Sequence, residues 1–346
     1  MKNTKKAFCL ILCILSASLA YSRSWKKNKS EFDPSLENRV HNLIIIGGGP
    51  AGLTASIYAA RAKLQPLLLE GSNPGGQLMG TTYIENWPGE KKILGSKLMM
   101  NLREHAQSFG TQCLTEKVVA VDFSQKPFTL LTEKNKQLKA HCVIIATGTR
   151  PNQLHCLGEE DYWGKGVATC TLCDGPLYYN KKVMIIGGGD TAIYYALSLK
   201  KFTKKITLIQ NQDQLTASLS MQQKILNDPD ISIIYNSKIT EIKGNGEYVT
   251  DVTIVNEKTG EQKDMPVDGI FVATGKRPNT ETFKNQLELN DAGYIIVKNY
   301  THTSVPGVFS AGDLQDYHYK QAVIMAGAGC MAAIDAQRYL EKILNE

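Results

Sequence analysis

The chain has 346 residues, a formal net charge of only +6, and no basic groove interleaved with aromatic residues. That excludes nucleic acid as an expected partner. It has no low-complexity tract, and a hydrophobic content of 42% is ordinary for a globular protein, so disorder by composition is excluded too. Long apolar runs are missing: the stretch from Ala7 to Ala20 has about fourteen residues, short of a comfortable bilayer span. Of the eight cysteines, only Cys170 and Cys173 form a C-x-x-C unit, and no second ligand pair stands at a suitable spacing. That argues against structural zinc, so no metal is expected, and favours a redox dithiol. Cys113, Cys142, Cys156 and Cys330 are scattered singly and read as small buried residues, whereas Cys9 and Cys13 fall in the N-terminal apolar stretch.

That N-terminus has a charged start (Lys2, Lys5, Lys6), a short apolar core, and small residues at Ser18-Leu19-Ala20. The pattern is that of a secretory signal, with an uncleaved anchor as the alternative. Residues 1–22 are assigned to it and the polar, basic residues 23–40 to a linker, both outside the fold. Export or membrane anchoring is the location this segment suggests. The remaining length supports two domains, because single cores rarely grow beyond roughly 250–300 residues.

Leu43-Ile44-Ile45-Ile46 is a short apolar run rich in β-branched residues and reads as a buried parallel strand. Gly47-Gly48-Gly49-Pro50-Ala51-Gly52 then turns the chain into a helix expected from Leu53 to Lys63. Gly47, Gly49 and Gly52 hold the G-x-G-x-x-G spacing, whose tight turn aims helix amides and dipole at a pyrophosphate. Glu70 stands 23 positions after Gly47, at the end of the strand Leu67-Leu68-Leu69, where an acid can bond a ribose hydroxyl. The layout recurs with the strand Val183-Met184-Ile185-Ile186, then Gly187, Gly189 and Ala192, a helix from Thr191 to about Lys200, and the strand Ile206-Thr207-Leu208-Ile209. Here the residue 23 positions on is Gln210, a neutral amide, followed by Asn211, Gln212, Asp213, Gln214, Leu215 and Thr216. The acid that marks NADH preference and the cation that marks NADPH preference are both missing. The nearby cations Lys200, Lys201, Lys204 and Lys205 precede the strand and read as a solvated loop.

A C-x-x-C pair brings two sulfurs close enough for a disulfide and lets one thiolate stabilise the other's departure. Asp174 directly follows Cys173 and can supply or take the proton that two-electron exchange with a flavin requires; it can also cap a helix or turn, or do both. A dithiol beside two dinucleotide fingerprints points to an enzyme moving electron pairs between a flavin and a disulfide.

Further motifs turn this into a family resemblance. Gly75-Gly76-Gln77-Leu78, Glu85-Asn86-Trp87-Pro88-Gly89, Ala146-Thr147-Gly148, the run from Thr303 to Asp313, Lys320-Gln321-Ala322 and the run from Ala328 to Ala333 occur in order. From about Asn42 to the C-terminus the chain resembles the low-molecular-weight, bacterial-type thioredoxin reductases. The resemblance implies an α/β fold of two doubly wound Rossmann-like domains, with a nicotinamide domain inserted in a discontinuous FAD domain. Residues 41–152 and 283–346 would form the FAD domain, and 153–282 the insert carrying the dithiol. FAD would be held by Gly47, Gly49 and Gly52 at its pyrophosphate, Glu70 at its ribose, and Gln77 and Asn86 near the isoalloxazine. Gly148 belongs to the same domain's motifs, Asp313 would bond the ribityl-phosphate part, and Gln321 and Ala322 would open a last helix facing the flavin. Cys173 would be the flavin-facing sulfur, Cys170 the one attacking the substrate disulfide, and Asp174 the acid. Gly187, Gly189 and Ala192 would belong to the nicotinamide site.

The family further implies a thioredoxin or thioredoxin-like partner, a homodimer, and the cytoplasm as default location. It resembles a rotating two-domain device, and Arg150-Pro151-Asn152 and Arg277-Pro278-Asn279 read as its hinges. Two positions depart from the pattern. Ile193-Tyr194-Tyr195 stands where the family usually has Glu, and Gln210-Asn211-Gln212 with Thr216 replaces the His-Arg-Arg and later Arg that grip NADPH. The expected donor is therefore NADPH by family default, with NADH, a ferredoxin-like donor, or a reversed flow to oxygen as alternatives.

Overall fold

The computed structural model describes residues 34–344 apart from residues 38 and 82, so the signal-like segment and residues 23–33 of the linker lie outside the described residues. The described residues between 34 and 40 differ from the expected linker. Pro34–Leu36 forms a 3-10 turn, Leu36 is buried in the core, and its carbonyl accepts a bond from His41 Nε2. One apolar anchor ahead of the first strand thus brings the chain into the fold before residue 41.

Tertiary contacts divide the chain into two compact units, one running to Thr149 and resuming at Pro278, the other Arg150–Arg277. The first unit begins with β1 (Val40–Ile46), α1 (Pro50–Arg61), β2 (Leu67–Leu69), α2 (Gly95–Ser108) and β3 (Gln112–Leu114). A meander of β4 (Val118–Asp122), β5 (Phe128–Thr132) and β6 (Gln137–Ile145) follows. The second unit holds β7 (Val167–Ala168), the short helix α3 (Thr171–Asp174), β8 (Lys182–Ile186), α4 (Asp190–Leu199), β9 (Lys205–Ile209) and β10 (Ile231–Ile234). It continues through β11 (Ser237–Gly244), β12 (Val249–Asn256), β13 (Gln262–Pro266) and β14 (Gly269–Val272). The chain then returns to the first unit for β15 (Val308–Ser310) and α5 (Ala322–Leu344).

The sheet of the first unit has the order β3-β2-β1-β6-β5-β4, with β15 also paired to β6. β1 pairs in parallel with both β2 and β6, and β6 changes partner along its length, antiparallel to β5 first and parallel to β15 at its end. Because successive side chains face opposite ways, Leu43 and Ile45 enter the core that includes α1 and α5 residues, while Ile44 and Ile46 enter the core under the meander. Both faces are buried, which is why β1 reads as an unbroken apolar run. α1 starts at Pro50 rather than Leu53, since Gly49 is the N-cap and a proline's fixed φ suits the first helical position. α5 lies almost backbone to backbone on α1: a Cβ on Gly329 would come 2.0 Å from the Ala51 carbonyl oxygen.

The second unit repeats the plan. Its parallel sheet has the order β7-β14-β8-β9-β10, and β11-β12-β13 form a separate antiparallel sheet. Val183 and Ile185 pack with α4 residues, and Met184 and Ile186 with residues of the antiparallel sheet. The fold is thus mixed α/β with two Rossmann-like parallel sheets. The two segments where the chain crosses between units, Thr149–Pro151 and Lys276–Pro278, pair with each other as a two-stranded ladder.

Candidate active site

In the first unit the fingerprint joins β1 to α1. Gly47 has φ +113°, and a Cβ on it would lie 2.3 Å from the Ala146 carbonyl oxygen. A Cβ on Gly52 would lie 1.8 Å from the Gly47 carbonyl oxygen, so only glycine lets helix and turn approach this closely. Gly49 caps α1 without a side-chain hydrogen bond, and its own Cβ position faces open space. The result is a bare backbone cradle at a helix N-terminus, a place that suits a pyrophosphate.

Glu70 lies directly under this turn: a Cβ on Gly48 would sit 3.0 Å from the Glu70 Cβ. Its carboxylate is buried and accepts two bonds from Arg103 of α2, Nε to Oε1 at 2.8 Å and Nη2 to Oε2 at 3.0 Å. Each carboxylate oxygen has two lone pairs, so the fork leaves acceptor capacity for ribose hydroxyls. Arg103 was missed by the sequence reading, although a lone arginine among Met99, Met100 and Ala106 on the buried face of a helix was a usable signal. The same charges act on Cys113, whose thiol is pushed up to about 12, first by burial and then by the Glu70 charge.

Other expected FAD residues also meet. Gln77 Nε2 donates to the Thr149 carbonyl at 2.8 Å and to its hydroxyl at 3.1 Å, and that hydroxyl donates to Asp313 Oδ2 at 3.3 Å. Thr149, which the sequence reading passed over, is thus the link between Gln77 and Asp313. Asn86 Nδ2 stands 3.5 Å from Gln321 Oε1, just before α5 opens at Ala322. Gly148, at φ +64°, gives its carbonyl to the Asn279 amide.

In the second unit Gly187 has φ +131°, Gly189 caps α4 without a side-chain bond, and Ala192 is buried in the core. Gln210 occupies the place of Glu70: a Cβ on Gly188 would lie 2.5 Å from its amide. The amide is buried and donates to the Gln214 carbonyl, while Thr216 and Ala217 bond the Gly188 carbonyl through their own amides. Asn211, Gln212 and Thr216 are exposed around it. The lysines read from sequence as a solvated loop lie at the far end of the strand and helix from the fingerprint. Lys205 opens β9 and Lys200 follows the last residue of α4, roughly 15 Å of helix from the Gly189 cap. Lys200 is instead paired with Asp228 and Asp230. A cation does border the Gln210–Thr216 loop: Lys258, from the β12–β13 turn, pairs with Asp213 at 3.1 Å.

Also in the second unit, Cys170 and Cys173 form a disulfide, with Cα atoms 5.3 Å apart. Cys170 is the N-cap of α3 and its sulfur accepts the Cys173 amide at 3.2 Å. The Asp174 amide bonds the Cys170 carbonyl at 3.0 Å. Burial raises the Asp174 carboxyl to about 6, which keeps a proton within reach at the dithiol near neutral pH. Leu172, between the sulfurs, is 58% exposed, so the pair lies at the surface of its unit.

The family model described as pyridine nucleotide-disulphide oxidoreductase matches residues 41–329. The chain is 44% identical over 314 residues to a thioredoxin reductase of Debaryomyces hansenii, covering 87% of this chain and 98% of that protein. It is 44% identical over 317 residues to thioredoxin reductase 1 of Saccharomyces cerevisiae, covering 88% and 99%. Among solved structures, a thioredoxin reductase from Giardia duodenalis superposes with a TM-score of 0.81 at 42% identity, covering 88% of this chain and 100% of that one. The chain belongs to the low-molecular-weight thioredoxin reductases of the pyridine nucleotide-disulphide oxidoreductase family; it is a flavin-dependent disulfide oxidoreductase with Cys170–Cys173 as its redox-active pair.

Proposed function

We propose that the enzyme takes an electron pair from a reduced nicotinamide, carries it through FAD to Cys170–Cys173, and delivers it to the disulfide of a thioredoxin or thioredoxin-like protein. The relatives' names support the partner. The observation that carries the reading is the surface disulfide with a half-buried carboxyl raised to about 6 beside it. FAD, when bound, supplies the two-electron carrier between donor and disulfide. The residues of the first unit fit it: the uncapped amides of α1 for the pyrophosphate, Glu70 for the ribose, and the Gln77–Thr149–Asp313 cluster and Asn86–Gln321 pair for the remainder.

Cys170 is the nucleophile toward the partner, since its sulfur accepts an amide hydrogen that stabilises a thiolate. Cys173 is the resolving sulfur that turns toward the flavin. Asp174 gives its proton to the departing thiolate and takes it back when the disulfide re-forms.

The donor site is the weak point. With Gln210 in place of an acid and Lys258 at the loop already paired with Asp213, the site holds both nicotinamides loosely and separates them poorly. Homodimerisation and the division into FAD and nicotinamide domains are part of the same proposal. The test is stopped-flow reduction of the purified yellow protein by NADPH, NADH and reduced ferredoxin, followed by thioredoxin turnover of Cys170→Ser, Cys173→Ser and Asp174→Asn. Expected are flavin reduction by both nicotinamides within about tenfold of each other, no turnover by either serine variant, and a roughly 10²-fold loss for Asp174→Asn. Reduction by ferredoxin alone would transfer the donor role, and turnover by both serine variants would remove the dithiol from the reaction.

A further inference from the structure

The family pattern leaves unexplained why two tyrosines follow the second fingerprint. Tyr194 is half exposed and belongs to the surface of α4. Tyr195, one position on, packs against the apolar core of the second unit and turns its hydroxyl onto the carbonyl of Thr169, donating at 2.5 Å. Thr169 is the residue before Cys170, so this bond crosses from α4 to the segment that enters the redox-active helix.

We propose that Tyr195 is a positioning residue for the redox-active pair, fixing the Thr169–Cys170 peptide so that the Cys170 sulfur stays under the Cys173 amide. Three bonds act in sequence. The Tyr195 hydroxyl holds the carbonyl ahead of Cys170, the Asp174 amide holds the carbonyl of Cys170 itself, and the Cys173 amide reaches the Cys170 sulfur. With both carbonyls pinned, the backbone at Cys170 has little freedom left, and the N-cap geometry persists after the disulfide is reduced. An amide hydrogen on sulfur favours the thiolate, so the anchoring bond tunes the nucleophile from a distance. Helix α3 has only four residues and cannot hold this geometry alone.

The titratable groups around the pair are consistent with a rigid, drier pocket. Asp174 of α3 is raised by burial, and Tyr195 of α4 is pushed up to about 12, by burial first and then by the Asp174 charge. Tyr178, in the turn after α3, is raised in the same way, with Asp268 adding to it. Neither tyrosine ionises near neutrality, and Asp174, once it has given up its proton above about pH 6, adds negative charge beside the thiolate, which leaves the amide on Cys170 as the thiolate's support. A side chain with a ring and a hydroxyl suits this place because the ring fills the core while the hydroxyl spans to a main-chain oxygen that no aliphatic side chain could satisfy.

Tyr195→Phe keeps the ring and deletes only the hydroxyl; Tyr194→Phe is the control on the exposed neighbour. The readouts need no turnover. The first is the rate at which iodoacetamide alkylates Cys170 in the reduced holoenzyme at pH 7, resolved from Cys173 by mass spectrometry. The second is the equilibrium between disulfide and dithiol forms against dithiothreitol. Loss of the anchor is expected to slow Cys170 alkylation by about 3- to 10-fold and to shift the equilibrium toward the disulfide, because a less stable thiolate makes the reduced form less favourable. Tyr194→Phe should change neither. If Tyr195→Phe lowers the melting temperature but leaves both readouts at the wild-type value, Tyr195 is merely a core residue and the proposal falls. It falls equally if both tyrosine variants change the readouts alike. Should Tyr195→Phe fail to fold, Tyr195→Trp keeps the ring and an N–H donor; wild-type alkylation in a folded Tyr195→Leu would then overturn the proposal.

Discussion

The two glycine fingerprints share one backbone and differ in what lies beneath it. In each, the second glycine packs on the side chain at the end of the next strand, Gly48 on Glu70 and Gly188 on Gln210. In the first unit that side chain is a buried carboxylate, and an arginine from α2 has been recruited to neutralise it. In the second it is a neutral amide that satisfies itself on its own loop. The cradle for phosphates is therefore a matter of glycine geometry, whereas the reader of the ribose is a separate, chargeable part. A chain can keep the first and change the second, and here the second site has done so.

The largest break in this comparison is expected at Glu70. Glu70→Gln leaves Arg103 buried, about 6% exposed, without its counter-charge. Stripping one partner from a buried pair costs about 3–5 kcal/mol, enough to lower FAD content and melting temperature together. Adding Arg103→Met should restore much of the stability by removing the charge that Glu70 had balanced, while FAD retention stays low. If the double variant regained FAD as well, Glu70 would be a structural anion only. The reverse exchange in the second unit, Gln210→Glu, carries its own cost, since it buries a carboxylate where an amide now donates to the Gln214 carbonyl.

Next comes Gly52→Ala. Its Cβ would lie 1.8 Å from the Gly47 carbonyl oxygen, so turn and helix must separate, at roughly 3 kcal/mol. Gly49→Ala makes the contrast: it is already at φ −80° and its Cβ meets nothing within 4 Å. Gly49→Ala should melt like the wild type when stripped of flavin and lose affinity only for FAD, because the methyl would enter the space meant for the pyrophosphate. Thermal denaturation of the apoprotein and the ratio of flavin to protein absorbance separate the two. Equal loss of stability in both variants would show that the cradle is not open.

What the sequence disclosed, and what it hid, follows the range of the interactions. Strand, glycines, helix and next strand are local, and β2 at Leu67–Leu69 was placed to the residue. The charge of the ribose reader was equally plain, because its spacing from the glycines is fixed. Arg103 could not be paired with Glu70 from pattern alone, since 33 residues separate them and only packing brings α2 over β2. Thr149 joins Gln77 and Asp313 across 72 and 164 positions. The antiparallel strands β11–β13 went unassigned, and with them Lys258, whose relevance depends on a turn that meets the Gln210–Thr216 loop only in three dimensions. The lysines before β9 were legible for the same reason the strand was: a charge run ahead of a strand sits at its start, and the nucleotide end is the other one.

The donor site offers the third test. Arg at Asn211, Gln212 and Thr216 together should raise NADPH affinity by about 10²-fold or more, since two charge-assisted bonds are each worth roughly 1.5–3 kcal/mol. Gln210→Glu should favour NADH instead, by about tenfold. Both are read as the ratio of kcat/KM for the two nicotinamides. Micromolar NADPH binding by the unaltered enzyme would contradict the expected weakness, and its loss in Lys258→Ala would identify the cation responsible.

The smallest effect concerns the second unit's half-buried carboxyl, and it inverts the first unit's solution. Glu70 is kept charged by an arginine, whereas Asp174 is half-buried with no cationic partner among the described residues, and burial raises it to about 6 from 3.8. A raised carboxyl favours folding when protonated. Its contribution is fully present below about pH 3.8 and is lost as pH rises through about 6, so at pH 8 the ionised group works against the fold. A shift of this size has a ceiling of about 3 kcal/mol, and partial exposure to water reduces it to about 1–2 kcal/mol. Asp174→Asn, which cannot ionise, should therefore melt higher than the wild type at pH 8 by a few degrees and match it at pH 4. The gain in stability would accompany the loss of turnover, as expected where a group is held against its preference because its proton is used. An Asp174→Asn variant less stable than the wild type at pH 8 would show instead that the carboxylate is needed as a cap in its charged form.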